Sequence, residues 1–210
     1  MNKEIERVIL KTLVYSDIFD YPLSKDEVWK FLIAENPLKR KEFEKELNYL
    51  SGAKLIHLEG GHLYCLSGRE VIIDTRLVRQ KESRRKIVIA KKIVKQLSRI
   101  PTIQFIGISG ALSLGNSGKE DDIDLFVITS KGSLWLTRLT IIIFLLFMGR
   151  YRRRNESKVS DKICLNMLID ETALAFPKIR QNLYTAHEIV QLMPVFERND
   201  MYKKFISCNK

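Results

Sequence analysis

Apolar residues recur at helical spacing through most of the first hundred positions. The spacing predicts three helices: one through Ile5 and Leu13, one opened by the capping box Ser24–Glu27, and one through Phe43 and Leu50. Two short apolar runs around Gly60-Gly61 then predict a β-hairpin. Three helices followed by a hairpin is the order of a winged helix-turn-helix domain, which we expect over residues 1–70.

After Pro101 the pattern changes to alternating strands and helices. Residues 135–148 predict a helix, and strands are predicted at the apolar runs 103–108, 123–128 and 163–169. The tail from 184 to 210 predicts helical pieces broken at Pro194.

The fold class expected from these elements is α+β. An N-terminal winged-helix domain would be followed by an α/β domain with a small mixed sheet over residues 101–210. The abrupt end of the chain leaves open whether this second domain is complete at its C-terminus.

One apolar stretch, Leu134–Met148, tests whether the chain crosses a membrane. It has 15 residues and is interrupted by Arg138, whereas a spanning helix needs roughly 20 apolar residues. We therefore expect a buried core helix and no membrane span. Attachment to a lipid surface through the basic run at 150–154 is the weaker alternative.

The composition of the 210 residues is that of a globular protein. Hydrophobic residues make up 45% and charged residues 29%, which excludes a disordered chain. The three cysteines are widely spaced, which excludes a disulfide scaffold and a cysteine-rich zinc module. Because the chain starts with polar and acidic residues rather than a signal peptide, we expect a reducing, cytoplasmic setting.

The chain carries a surplus of positive charge, with 36 Lys and Arg against 25 Asp and Glu. Most of it lies in residues 76–99, where ten basic residues stand against the single acid Glu82. Apolar residues keep helical spacing between Ile87 and Leu97, so a basic connecting helix is expected over residues 71–100. Its basic face over 76–99 suits nucleic acid, and a solvated connector between domains is the plainer alternative.

The third predicted helix bears on whether the N-terminal domain reads DNA. Residues 38–51 hold four basic and three acidic side chains, whereas a DNA-reading helix usually carries a larger positive excess. Base-specific recognition of DNA is therefore the weaker interpretation, and packing or contact with another protein is the alternative.

The clearest chemical pattern lies between residues 103 and 129. Asp122 and Asp124 are two positions apart at the start of a strand, so both carboxylates project from one face. Such carboxylates repel each other unless a divalent cation lies between them. Upstream, Ser109-Gly110 ends a strand, where the missing side chain of glycine lets backbone amides approach an anion. A phosphate-binding turn facing metal-binding acids is typical of phosphoryl or nucleotidyl transfer.

This pattern resembles the DNA polymerase beta-like nucleotidyltransferase superfamily, whose signature is a glycine turn, a short spacer and an Asp-apolar-Asp-apolar strand. Gly110-Ala111, the ten residues 112–121 and Asp122-Ile123-Asp124-Leu125 stand at those places, and Gly115 stands where a second glycine is common. A looser similarity to a prokaryotic subgroup with an N-terminal winged helix-turn-helix rests on the segments 14–22, 161–166 and 182–188.

The resemblance implies a role for each matched residue. Asp122 and Asp124 would be the catalytic residues and would hold two Mg²⁺ ions. Nucleotide binding would fall to Ser109, Gly110, Ala111 and Gly115. The activity implied is transfer of a nucleoside monophosphate from an NTP to a hydroxyl acceptor. The acceptor, the base of the NTP and the oligomeric state stay open.

Two departures from the family pattern bear on activity. Ala111 stands in place of the family's serine, which removes one hydroxyl contact to phosphate. The third carboxylate is not evident, and Asn166 and Asp170 are the candidates for its position. A non-catalytic nucleic-acid-binding or regulatory protein on a degenerate nucleotidyltransferase fold is therefore the alternative function.

The histidines and the strand cysteine are expected to be structural. His187 has apolar neighbours in the sequence, and His57 and His62 flank the hairpin without completing a metal-binding set. Cys164 lies in an apolar strand and is expected to be a core thiol.

Overall fold

A computed structural model describes residues 2–209, which fall into two units, Met1–Val78 and Arg79–Lys210. The first unit contains three helices and a three-stranded antiparallel sheet of order β1-β3-β2. Its elements are α1 (Lys3–Asp17), β1 (Leu23–Ser24), α2 (Lys25–Lys30), α3 (Arg40–Gly52), β2 (Ile56–Glu59) and β3 (Leu63–Leu66). The three predicted helices and the hairpin are therefore confirmed.

The capping box at the start of α2 is confirmed, because Ser24 and Glu27 each bond the backbone N–H of the other. Burial alone would raise the pKa of Glu27, but the Arg76 guanidinium and the Tyr21 hydroxyl outweigh it and hold that pKa below its usual value. Arg76 Nη1 lies 2.9 Å from Glu27 Oε2, and the Tyr21 hydroxyl donates to Glu27 Oε1 at 2.6 Å. This buried network ties α2 to the first turns of α4 (Val71–Leu97).

The second unit is built on a mixed four-stranded sheet of order β6-β5-β4-β7. The strands are β4 (Ile103–Ile108), β5 (Ile123–Thr129), β6 (Ile163–Asp170) and β7 (Met193–Glu197). The β5–β6 pair is parallel and the other two pairs are antiparallel. The α+β class and the small mixed sheet are thus confirmed.

Four helices accompany this sheet: α5 (Gly110–Ser113), α6 (Leu134–Phe147), α7 (Leu183–Gln191) and α8 (Met201–Cys208), with a 3₁₀ turn at Lys178–Arg180. α6 makes the crossover that a parallel β5–β6 pair requires. The C-terminal half of α4 packs Ala90, Val94 and Leu97 into the core formed with β4 and β5. Its apolar seam is therefore confirmed.

Two expectations about apolar segments are wrong. Pro194 does not break a helix but lies in β7, where an edge strand tolerates the missing N–H. α6 is not a buried core helix, because only one face, with Thr137, Ile141 and Leu145, is buried. Within residues 2–209, no helix combines the length and the apolar character needed to cross a membrane.

Candidate functional site

The turn between β4 and α5 is shaped by a glycine that no other residue replaces without strain. Gly110 has φ +62°, and a Cβ at this position would lie 2.6 Å from Asp124 Oδ2. The N–H of Ser109 donates to the carbonyl of Asp124 at 3.0 Å. The predicted turn and the predicted acidic strand therefore lie in direct contact.

The two predicted metal ligands lie together at the start of β5. Asp122 immediately precedes this strand, and Asp124 is its second residue. The parallel register places Cys164 of β6 opposite Asp124. Within residues 2–209, these three form the one group of potential metal ligands, with ligand atoms within 4.8 Å of one another.

A cation from the chain already lies at this group. Arg152 Nη1 is 2.7 Å from Asp122 Oδ2 and 3.5 Å from Cys164 Sγ. Asp122 Oδ2 is nevertheless buried and accepts no well-aligned hydrogen bond from the described residues, so its contact with Arg152 is mainly electrostatic. Arg152 thus neutralises part of the charge of the acidic pair, while Asp122 Oδ2 keeps no well-aligned hydrogen bond.

The protonation of the group reflects its burial. Burial, and then the charge of Asp122, raises the pKa of Asp124 to about 6. Burial and the neighbouring Asp124 raise the pKa of Cys164 to about 11, so the thiol stays protonated at neutral pH. The sequence predicts that Cys164 is a core thiol. In the structure it is only half-buried and lies beside the carboxylates.

The two candidates for the third carboxylate position lie at different places on β6. β6 is bulged at Asn166, because Leu125 and Phe126 pair with Leu165 and Met167, so simple alternation of faces fails there. The Asn166 side chain donates to the Ser109 hydroxyl at 3.2 Å instead. Asp170 lies at the far end of β6, opposite Thr129, and accepts bonds from the backbone N–H groups of Gly132 and Thr172.

An acid from α7 lies on the other side of the turn. Glu188 lines a small cavity together with Ser109 and Asn166. Burial, and then the charge of Asp124, raises the pKa of Glu188 above its usual value. No pattern in the sequence singles out Glu188, because only the tertiary fold brings α7 to α5.

The loop between α5 and β5 is held from α4. Ser83 Oγ accepts from the N–H of Ser117 at 2.9 Å, and the buried Lys86 ammonium donates to the carbonyl of Asp121. The Asp121 carboxylate accepts from the N–H of Gly118 at 2.7 Å. Gly115, with φ +72°, faces open space rather than the carboxylates. Part of the basic helix therefore supports the site loop rather than forming a free charged surface.

Asp122 and Asp124 are suitable ligands for a divalent cation, but Cys164 is not. An unsatisfied buried carboxylate oxygen on Asp122, and a turn at Gly110 that a Cβ would fill, are what a site for a hard cation and its anionic ligand requires. The neutral thiol of Cys164 is a soft donor that Mg²⁺ does not favour. Asp122 and Asp124 could therefore hold a metal ion, whereas the third position offers a poor ligand.

The histidines take structural positions. His187 is buried on α7 with Nδ1 2.9 Å from the carbonyl of Leu183, and burial lowers its pKa. His57 Nε2 lies 2.9 Å from Glu59 Oε2 on β2, in the other unit of the chain. Neither lies in the group of Asp122, Asp124 and Cys164.

Comparison with known proteins gives only distant similarity. No protein family and no curated protein matches the sequence. Two solved structures match part of the chain: a toxin–antitoxin with AMP-PNP, at 17% identity and a TM-score of 0.35, and a mutant of the toxin–antitoxin MntA-HpeT, at 14% identity and a TM-score of 0.34. Each match covers 56% of this chain and 84% of the other. Similarity at this level assigns neither a family nor a function.

Proposed function

We propose that this protein is a divalent-metal-dependent nucleotidyltransferase that moves a nucleoside monophosphate from an NTP to a hydroxyl acceptor. The observation that carries the proposal is the contact between Gly110 and the carboxylate of Asp124, with Asp122 beside it. A tight turn against paired carboxylates is the arrangement needed where a triphosphate and a metal ion meet.

Each residue of the site has a role in this proposal. Asp122 and Asp124 hold Mg²⁺, which would shield the charge of the triphosphate and lower the pKa of the attacking hydroxyl. The backbone N–H groups of Gly110 and Ala111 bind phosphate oxygens, because that of Ser109 already donates to the carbonyl of Asp124. Ser109 contributes its hydroxyl, which Asn166 fixes. Glu188 is a further acid of the site, because the charge of Asp124 contributes to its raised pKa.

The N-terminal unit is assigned in this proposal as a winged helix that recruits or orients the acceptor. The support is its element order, in which α1, α2 and α3 are followed by the hairpin β2–β3. The acceptor itself is left unassigned, and so is the base of the NTP.

A non-catalytic, regulatory or nucleic-acid-binding protein is the second candidate function. The observation that favours it is the guanidinium of Arg152 on Asp122, together with the thiol of Cys164 in the place of a third carboxylate. Exposed basic residues on α4, including Lys91, Lys92 and Lys95, would then bind the polyanion.

Calorimetric titration of the four NTPs, first with Mg²⁺ and then with EDTA, tests the proposal. We expect metal-dependent binding of at least one NTP that is lost in the Asp122→Asn/Asp124→Asn double variant. Glu120→Gln is the matched control, because Glu120 is an exposed acid in the same loop. Binding that survives the double variant, or no binding under either condition, would overturn the nucleotidyltransferase proposal. Salt-sensitive binding of RNA or DNA without metal would then support the second candidate.

A further inference from the structure

α6 is apolar on both of its faces, although only one of them is covered. The buried residues Thr137, Ile141 and Leu145 recur every four positions. The exposed residues on the other side define the α6 stripe: Trp135, Leu136, Leu139, Ile143, Leu146 and Phe147. Phe147 is 93% exposed and Trp135 is 77% exposed. A helix that faces water normally carries charged residues on that side, so the α6 stripe requires an explanation.

The charges that follow the α6 stripe in the chain are mostly positive, whereas Asp170 and Glu171 bond the backbone just before the helix. α6 contains no Asp or Glu, and Arg138 lies half-buried at the flank of the stripe. In the loop of residues 149–160 that follows the helix, Arg153, Arg154 and Lys158 are exposed, and the half-buried Glu156 is the one acid. An apolar face that ends in exposed cations is complementary to a surface that is apolar inside and negatively charged outside.

We propose that the α6 stripe docks this protein on the surface of an anionic phospholipid bilayer. Its 14 residues span about 21 Å, which is shorter than the hydrocarbon core, so α6 would lie in the plane of the interface. Trp135 and Phe147 mark the two ends of the stripe, and aromatic side chains favour the headgroup boundary. Arg153 and Arg154 would contact the anionic headgroups.

A second copy of the chain is the less suitable occupant. Each copy carries a net charge of +11, so two facing copies would repel each other. Anionic headgroups supply both the apolar interior and the missing negative charge. The docking proposal does not depend on the proposed function.

Tryptophan fluorescence can test the docking directly, because the chain has only Trp29 and Trp135. In a Trp29→Phe background, Trp135 is the sole reporter. We expect a blue-shifted emission on titration with phosphatidylglycerol–phosphatidylcholine vesicles, and quenching when brominated lipids are used. Pure phosphatidylcholine vesicles should bind at least about tenfold more weakly, because the headgroup attraction to Arg153 and Arg154 is lost.

Variants separate the α6 stripe from other surfaces. Leu139→Ser/Phe147→Ser should lower the vesicle partition coefficient by about tenfold or more, and Phe147→Ser alone should lower it by less. Ile179→Ser is the matched control, because Ile179 is 92% exposed in the 3₁₀ turn and should leave binding unchanged. Arg153→Gln/Arg154→Gln should weaken binding to anionic vesicles, whereas Lys91→Gln/Lys92→Gln on α4 should have a smaller effect.

Three results would overturn the proposal. The first is an emission of Trp135 that no vesicle changes. The second is vesicle binding that depends on Lys91 and Lys92 but not on the α6 stripe. The third is a shift of Trp135 emission with protein concentration alone, accompanied by dimerisation in sedimentation velocity, which would assign the stripe to a second copy.

Discussion

Arg152 lies with its Nη1 atom 2.7 Å from Asp122 Oδ2, so one carboxylate of the proposed metal site already has a positive partner. A divalent cation that binds Asp122 must share this carboxylate with the guanidinium or displace it. The affinity of the site for metal is therefore set partly by a residue that is not itself a ligand.

We expect Arg152→Met to strengthen binding of Mg²⁺ or Mn²⁺ in the absence of nucleotide. Removing a unit positive charge next to a ligand oxygen should tighten binding by about three- to tenfold at this partly exposed position. Calorimetry of metal binding to the apoprotein measures the change. Arg153→Met, at the next residue, is the control, and a weaker affinity in Arg152→Met would contradict the prediction.

Cys164→Asp should supply a third carboxylate opposite Asp124. In EDTA we expect this variant to be less stable than the wild type by about 1–2 kcal/mol, because three carboxylates then repel one another. Added Mg²⁺ should recover that loss and raise Tm more than it does for the wild type. Thermal unfolding with and without Mg²⁺ tests this, with Cys164→Ser as the neutral control. Equal responses of both variants to Mg²⁺ would argue against a cation site here.

Gly110→Ala should damage the site more than Gly115→Ala. Both glycines have positive φ, so each substitution is expected to cost about 1 kcal/mol of unfolding free energy from backbone strain. Only at Gly110 does the new methyl group collide with Asp124 Oδ2, which adds a further penalty of about 1–2 kcal/mol and displaces the carboxylate. Denaturant unfolding measures the difference. Equal losses for the two variants would show that the close approach at Gly110 is not tight in solution.

The Glu27–Arg76 pair should make the N-terminal unit sensitive to acid. Because the pKa of Glu27 is lower in the folded protein than in the unfolded chain, its stabilisation is present above the unfolded pKa of about 4.3 and is lost as pH falls through the folded pKa. Glu27→Gln should therefore lower the unfolding free energy by about 2 kcal/mol at pH 7, and the difference from wild type should shrink below about pH 4. Urea unfolding between pH 3 and 7 tests this, with the exposed Glu35→Gln as control. A difference independent of pH would point to packing instead of charge.

Local patterns predicted the elements of the fold well, because their causes lie within a few residues. The capping box at Ser24, the hairpin at Gly60-Gly61 and the strands on either side of Gly110 are confirmed. β1 has only two residues, so it leaves no periodic signal in the sequence. Pro194 predicts a helix break in the sequence, because nothing in the sequence shows that β7 is an edge strand.

The glycine turn and the acidic pair of the candidate site could be found from sequence, but their surroundings could not. Asp122 and Asp124 follow Gly110 within one hairpin, so their proximity is local. Arg152, Cys164 and Glu188 reach the site only through the parallel register of β6 and the position of α7. Asn166 and Asp170 are predicted on the assumption that side chains of β6 alternate between the two faces of the sheet. The bulge at Asn166 interrupts this alternation.

The parallel pairing of β5 with β6 has a consequence for the order in which the site is assembled. Gly110 and Asp124 belong to one antiparallel hairpin, whereas Cys164 pairs with Asp124 across the long crossover that contains α6. Closing the longer loop costs more conformational entropy, and a growing chain presents its N-terminal residues first. During folding, Gly110 should therefore meet the acidic pair before β6 brings Cys164 beside it, and the pair should pass through a stage more open to ambient cations than the finished site.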